Sequence, residues 1–170
     1  VLTFASAPDY ETKTSYTATV TASDGTNTTE QGITVNVTNL NDNAPVFTSG
    51  ATFSAAENQT SIGTVTATDG DASDTVTFTV SGSELAITSA GVLTFTSAPD
   101  YETKTSYTAT VTASDGTNTT TQNITVNVTN LNDNAPVFTS GATFSAAENQ
   151  TAIGTVTATD ADGDSVTFTV

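Results

Sequence analysis

Apolar and polar residues alternate along most of the chain, which is the period of a half-buried β-strand. Segments such as SYTATVTAS, QNITVNVTN and IGTVTATD are rich in Val, Ile, Thr and Tyr, which favour strands. Turn signals separate these segments, at Asp24-Gly25, Ala44-Pro45, Asp115-Gly116 and Gly163. No segment combines a helical period with helix caps. The pattern therefore predicts an all-β chain built from antiparallel sandwich modules.

The chain also repeats itself with a period of 91 residues, because residues 1–69 reappear as 92–160 with four differences. The differences are Ala5/Thr96, Glu30/Thr121, Gly32/Asn123 and Ser61/Ala152. A unit of this length can hold its own core and is too long for a solenoid repeat. With NDNAP as the linker, we predict one complete module at 46–136, between the last three strands of another module at 1–45 and the first three of a third at 137–170. The strands of the complete module, A to G, are predicted at 52–55, 62–68, 75–80, 84–88, 92–96, 106–114 and 122–130.

The composition narrows the functional classes. Eighteen Asp and Glu residues against two basic residues, Lys13 and Lys104, give a formal net charge of −16. Such a surface repels phosphate backbones and anionic lipid, so we expect no nucleic-acid binding and no membrane insertion. The chain has no Cys and no His, which excludes disulfides, thiolate chemistry and the commonest zinc ligand. Disorder is not expected, because hydrophobic residues make up 35% of the chain and alternate regularly.

The acidic residues concentrate in motifs that recur: AENQ, PDYE, NLNDNAP, the loops DGDASD and DADGD, and an Asp after strand F. Because successive strands alternate in direction, AENQ, PDYE and NDN should meet at the lower end of one module. The DxD loop and the strand-F Asp should lie at the upper end of the next module. Six or more oxygens gathered there repel one another unless a cation neutralises them, and oxygen-only ligands favour Ca²⁺ over transition metals. We therefore predict Ca²⁺ at the 45/46 and 136/137 joints.

In this order, these motifs resemble the Ca²⁺-binding motifs of the cadherin family over the whole chain. The Thr-rich, Cys-free style is similar to cadherin-like repeats of large bacterial surface or secreted proteins. The resemblance implies tandem Greek-key, immunoglobulin-like sandwiches of the cadherin type, with three Ca²⁺ ions at each joint. For the second joint it implies two ions on Glu57, Asp100, Glu102 and Asp133, helped by Asp162, and a third on Asn132, the Asn134 carbonyl, Asp160 and Asp162. For the first joint it implies Asp9, Glu11, Asn41, Asp42, the Asn43 carbonyl, Asp69, Asp71 and Asp115. The family's linker usually opens with Asp; Asn39 and Asn130 stand there instead, so one ion is expected to bind more weakly or not at all.

The acidic motifs must be weighed as an enzyme site and as a structural site. Paired carboxylates such as Asp100 and Glu102 could indicate a glycosidase, but near-identical sites in every repeat, with nothing to separate an acid from a base, argue against an enzyme. We expect a Ca²⁺-rigidified extender or fibre-forming repeat of an extracellular adhesive protein, at the cell surface or secreted, because extracellular Ca²⁺ modules bind at about 10⁻⁴–10⁻³ M. The alternative is a recognition module for homophilic or polysaccharide binding. The absence of Trp and an aromatic content of 7% favour the extender.

The two partial modules also lead to an expectation about partners. Strands A–C of one copy would pack against strands E–G of another, giving a head-to-tail filament that lacks only the equivalent of residues 81–91, which hold edge strand D. Glu148 of one neighbour would then complete the first joint, and Asp24 of the other neighbour would complete the second. The alternative is a longer polypeptide in which the same joints are completed within one chain.

Overall fold

The computed structural model of the chain describes residues 1–71 and 74–170, and the regular elements within them are all β-strands. In chain order they are β1 (Ser15–Ser23), β2 (Thr28–Asn36), β3 (Val46–Phe47), β4 (Thr52–Ala56), β5 (Ser61–Thr64), β6 (Ala67–Thr68), β7 (Thr77–Val80), β8 (Leu85–Ile87), β9 (Val92–Phe95), β10 (Ser106–Ser114), β11 (Thr119–Thr129), β12 (Val137–Phe138) and β13 (Ala158–Thr159). Over the described ranges, no helix has the length and apolar character needed to cross a membrane.

The centre of the molecule is a sandwich of two sheets. One sheet has the order β4-β11-β10-β7, with β4 parallel to β11 and the other pairs antiparallel. The other sheet is antiparallel, with the order β5-β9-β8. Alternate residues of both sheets face inward, so that Val111 and Val126 of the first sheet and Leu93 of the second are fully buried in one core. The all-β, immunoglobulin-like prediction is confirmed.

Within this sandwich the predicted strand D is the edge strand β8, as expected. Predicted strand B at 62–68 is not continuous, because it divides into β5 and β6 with Val65 and Thr66 between them. The cause is a change of partner: β5 pairs with β9, whereas β6 pairs with β3. At the break, the buried Val65 donates its N–H to the Gly91 carbonyl at 2.8 Å. Alternation predicted most of these strand residues and could not show that the second half of the segment pairs with a different strand.

The pairing of β4 with β11 positions the candidate site. Parallel strands end at the same edge of a sheet, so the AENQ turn after β4 and the linker after β11 emerge side by side. The Glu57 N–H donates to the Thr129 carbonyl at 3.2 Å, and the Asn58 N–H donates to the Pro99 carbonyl at 3.0 Å. The AENQ, PDYE and linker motifs therefore meet at one end of the sandwich, as the sequence predicted.

Outside this sandwich, fewer strands form than the sequence predicts. The segment before it holds the hairpin of β1 and β2, in the same register as β10 and β11, but residues 1–4 form no strand. After the sandwich, β12 and β13 pair in a two-residue ladder, and the strands predicted at ATFSAA (142–147) and SVTFTV (165–170) do not form. Their counterparts β4 and β7 are held by β11 and β10, and these segments have no such neighbour to pair with.

Candidate metal centre

Glu57 is an acidic side chain enclosed by the sandwich end, with 2% of its surface exposed. Its two carboxylate oxygens accept hydrogen bonds from two distant parts of the chain. The Tyr101 N–H donates to Oε2 and the Leu131 N–H donates to Oε1, each at 2.7 Å. One buried carboxylate thus holds the PDYE loop and the start of the second linker together.

At the second joint, carboxylate oxygens of Glu57, Glu102 and Asp133 lie within 4.8 Å of one another. Asp162, from the following DADGD loop, accepts the N–H groups of Asp133 and Asn134 at 3.1 and 2.8 Å, and the Asn134 side-chain amide at 2.9 Å. The linker and the DADGD loop that follows it are therefore joined by direct hydrogen bonds. Burial, with the negative charges of Glu57 and Asp162, raises the pKa of Glu102 above its ordinary 4.5. The hydrogen bonds from Asn134 lower the pKa of Asp162 below 3.8.

The first joint has a related arrangement, in which the acid of the following loop, and no AENQ Glu, completes the cluster. Oxygens of Glu11, Asp42 and Asp71 lie within 4.8 Å of one another, and Asp71 is fully buried. The N–H groups of Asn43 and Asp42 donate to Asp71 Oδ2 at 2.9 and 3.1 Å. The backbone hydrogen bond from Asn43 is the main reason that the pKa of Asp71 is lowered. Burial, followed by the charge of Asp71, raises the pKa of Glu11. Two copies of the motif set thus produce a three-carboxylate cluster at each joint.

The other acids of the first joint line its upper side. Asp69 accepts the Asp71 N–H on Oδ1 at 2.9 Å, while its Oδ2 is shielded from solvent and, among the residues that the structure describes, has no hydrogen-bond partner. The side-chain oxygen of Asn39 is also shielded from solvent and has no hydrogen-bond partner among the described residues. Asp115 accepts the N–H groups of Thr117 and Asn118 at 2.6 Å each. Burial raises the pKa of Asp115, but these hydrogen bonds outweigh it and hold the pKa below 3.8.

Six of the acids predicted from the motifs lie outside the three-carboxylate clusters found in the described ranges: Asp9, Asp24, Asp69, Asp100, Asp115 and Glu148. Asp9 and Asp100 accept hydrogen bonds inside their own turns, from Thr12 and Thr103, and these bonds lower the pKa of each carboxyl. Asp24 likewise accepts hydrogen bonds from N–H groups of its own hairpin turn. Asn132, another predicted ligand, and Glu148 are exposed. Their roles as ligands stay predictions.

Sequence reasoning missed four residues that the structure places at the joints. Asp164 joins Asp160 and Asp162 in a cluster with oxygens within 4.8 Å. Asp74 lies close enough to Asp71, Asp115 and Asp69 that burial and their charges raise its pKa. Asn58, in the left-handed region at φ 63°, donates its side-chain amide to Asp133. The fourth residue, Asn118, bridges the linker and the β10–β11 turn. The signal for Asp164 was the D-x-D-x-D spacing, and that for Asn58 was the recurrence of Asn in AENQ.

These residues fit a hard divalent cation. The available ligand atoms are carboxylate, amide and carbonyl oxygens. Ca²⁺ binds six to eight such oxygens with flexible geometry. The Oδ2 of Asp69 is an oxygen that is shielded from water and to which no residue in 1–71 or 74–170 donates a hydrogen bond. Burial first, and neighbouring carboxylates after it, raise the pKa values of Glu11 and Glu102, so the charged form of each is disfavoured at its joint. A bound cation would relieve both conditions.

Known proteins share this architecture. A sequence model of the family described as "Bacterial Ig domain" matches residues 41–129. Human Cadherin EGF LAG seven-pass G-type receptor 1 is 34% identical over 146 residues, which is 76% of this chain and 5% of the receptor. Human Protocadherin Fat 1 is 38% identical over 152 residues, which is 78% of this chain and 3% of that protein. The chain therefore spans 5% or less of the length of these relatives.

Solved structures agree with the sequence relatives. The protocadherin gammaB7 EC3-6 cis-dimer structure superposes with a TM-score of 0.77 at 29% identity, covering 92% of this chain and 44% of that one. Mouse cadherin-23 EC22-24 gives a TM-score of 0.68 at 27% identity, covering 91% of this chain and 56% of that one. The chain thus belongs to the bacterial Ig domain family, and its sandwich is of the cadherin extracellular type.

Proposed function

We propose that this chain is a Ca²⁺-stiffened adhesive spacer, in which each cation-loaded joint sets the angle between consecutive sandwich modules. One observation carries the proposal: at both joints, acids of the preceding module and linker lie beside the acidic loop of the following segment. At the first joint these are Glu11 and Asp42 on one side and Asp71 on the other. A ligand that needs all three would bind only when the two sides are held together.

At each joint, some residues would bind the cation and others hold the ligands in position. Glu11, Asp42 and Asp71 would hold a cation at the first joint; Glu57, Glu102 and Asp133 would do so at the second, with Asp162 beside them. The bound Ca²⁺ would supply two positive charges against these carboxylates. The protein itself orients the ligands: backbone N–H groups fix Asp71 and Asp162 against their linkers, and two N–H groups fix Glu57. Without a cation, hydrogen bonds of this kind oppose the repulsion between the carboxylates.

The proposed setting is extracellular, because millimolar Ca²⁺ is needed to fill sites of this class. The proposed partners are repeats of the same kind, in the same chain or in another copy. The exposed apolar residues Phe4 and Val20 before the central sandwich, and Phe144 and Phe168 after it, are the counterparts of core-forming residues within it. Repeats that pair these faces would build the filament expected from the sequence. Polysaccharide binding stays a prediction from the sequence alone, and no catalytic activity is proposed.

The test is a calorimetric Ca²⁺ titration combined with small-angle X-ray scattering in EDTA and in millimolar Ca²⁺. We expect Ca²⁺ uptake and a larger radius of gyration with Ca²⁺ than with EDTA, because neutralised joints straighten and stiffen. Mg²⁺ should bind more weakly, because it demands stricter octahedral geometry and keeps its waters.

Three charge-neutralising variants sharpen this test. Glu11→Gln should weaken uptake at the first joint and Glu102→Gln at the second, because each removes one carboxylate of a cluster. Glu30→Gln is the matched control, because Glu30 is an exposed residue of β2 whose counterpart in the other repeat is Thr121. Equal weakening by all three variants would show that Ca²⁺ merely screens the net charge. Absence of Ca²⁺ uptake by the parent would refute the proposed function.

A further inference from the structure

Asn118 makes an unusual set of contacts across the first joint. Its side-chain nitrogen lies 2.7 Å from Asn41 Oδ1, 3.0 Å from the Asn43 carbonyl, 3.2 Å from Asp115 Oδ2 and 3.5 Å from the Asn41 carbonyl. Asn41 and Asn43 belong to the linker, whereas Asp115 and Asn118 belong to the turn between β10 and β11. One amide group therefore connects the linker directly to the far end of the central sandwich.

The turn itself explains only part of this arrangement. Asn27 occupies the same place in the β1–β2 turn, where its side-chain amide donates to Asp24 Oδ2 at 3.2 Å. That distance equals the one between the Asn118 amide and Asp115 Oδ2. The turn geometry thus aims the amide of each Asn at its own Asp. The three contacts to Asn41 and Asn43 are additional, and they exist because the linker passes over this turn.

An amide nitrogen has two hydrogens and cannot serve four acceptors well. Four oxygens around one NH₂ group, whose hydrogens carry partial positive charge, form the kind of surrounding that a cation needs. All four oxygens belong to three residues, Asn41, Asn43 and Asp115, that are predicted to bind a cation at this joint. The nitrogen–oxygen distances of 2.7–3.5 Å exceed the ~2.3–2.6 Å of a Ca²⁺–oxygen bond, so a small contraction would suit the ion.

We propose that Asn118 is an amide plug: in the ion-free chain its side chain occupies a cation position of the first joint and ties the linker to the β10–β11 turn. A cation enters only when this amide leaves. The plug has two consequences. It preserves the orientation of the joint when Ca²⁺ is scarce, and it lowers the affinity of this position for Ca²⁺. The second consequence rests on the proposed function, whereas the first does not.

The ion-free consequence is tested in EDTA. We expect Asn118→Ala to give a more bent and more variable ensemble by small-angle scattering than the parent, because the direct tie to the linker is lost. Asn27→Ala is the matched control: it removes the same side chain from the same turn without touching a linker, and should leave the scattering profile unchanged. Scattering of Asn118→Ala that equals that of the parent in EDTA would refute the tie, whether or not Ca²⁺ binds.

The competition is tested by Ca²⁺ titration of the same variants. If breaking the amide contacts costs roughly as much as one net hydrogen bond, Asn118→Ala should lower the Kd of this position about fivefold, with Asn27→Ala unchanged. In the parent, the side-chain amide resonances of Asn118 should move at the Ca²⁺ concentration that moves the Asn41 backbone resonance. Weaker binding by Asn118→Ala would mean that Asn118 is a ligand and would overturn the plug. Stationary Asn118 resonances beside a moving Asn41 resonance would overturn it as well.

Discussion

Replacement of Glu57 by Ala should destabilise the central sandwich even without a metal ion. The substitution removes a carboxylate that is 2% exposed and that accepts the Tyr101 and Leu131 N–H groups, each at 2.7 Å. A net hydrogen bond to a charged group contributes ~1.5–3 kcal/mol, and the lower end applies because Leu131 is partly open to water. Two such bonds give a loss of about 3 kcal/mol in the free energy of unfolding.

The assay is urea unfolding in EDTA followed by circular dichroism. At a urea slope of about 2 kcal/mol per molar, this loss lowers the midpoint by about 1.5 M. Glu57→Gln should lower it by roughly half as much, since one oxygen acceptor remains whichever way the amide is turned, and the other N–H then faces an NH₂ group.

The matched control is Glu148→Ala, in the same AENQ motif and with the same change of charge. Because Glu148 is exposed, this substitution should change the free energy of unfolding by no more than about 0.5 kcal/mol. Equal midpoints for Glu57→Ala and Glu148→Ala would refute the reasoning, since the two hydrogen bonds would then contribute nothing to the fold. A Glu57→Gln variant as stable as the parent would do the same.

Three further outcomes are expected. Gly91→Ala should destabilise the sandwich by several kcal/mol in thermal unfolding, because φ is +88° and the added Cβ would lie 2.2 Å from the Val65 carbonyl oxygen. Gly82→Ala is the control: with φ at +82° and open space around the added Cβ, it should cost only about 1 kcal/mol in the same assay. Asp133→Ala should leave the central sandwich folded but give a more bent ensemble in Ca²⁺ by small-angle scattering, and an unchanged profile would contradict its place at the second joint. Asp24 should titrate by NMR in EDTA at about 2, because the N–H groups of its hairpin turn favour the ionised form; its contribution to stability is present above the ordinary 3.8 and disappears as the pH falls through about 2.

The carboxylate clusters were predictable to the level of motifs and not to the level of individual contacts. Alternation and strand direction placed Glu57, Glu102 and Asp133 at one joint, and the structure brings their oxygens together. The same reasoning did not separate Asp100, which hydrogen-bonds within its own turn, from Glu102, two residues away. A strand pattern fixes the end of the module at which a loop lies. The direction of each side chain within that loop depends on local hydrogen bonds.

The sequence alone determined which segments alternate, the period of the repeat and the acidic character of the joints, because these follow from local pattern and from the identity of two copies. The tertiary structure decided what depends on distant partners. It divided predicted strand B between β9 and β3, and it left residues 1–4 without a strand. It also placed Asn118 against Asn41, 77 positions apart, where neither neighbourhood carries a signal for the other. Alternation is a local property of a segment, whereas a strand, its pairing and its bridging contacts need a partner that the fold alone brings close.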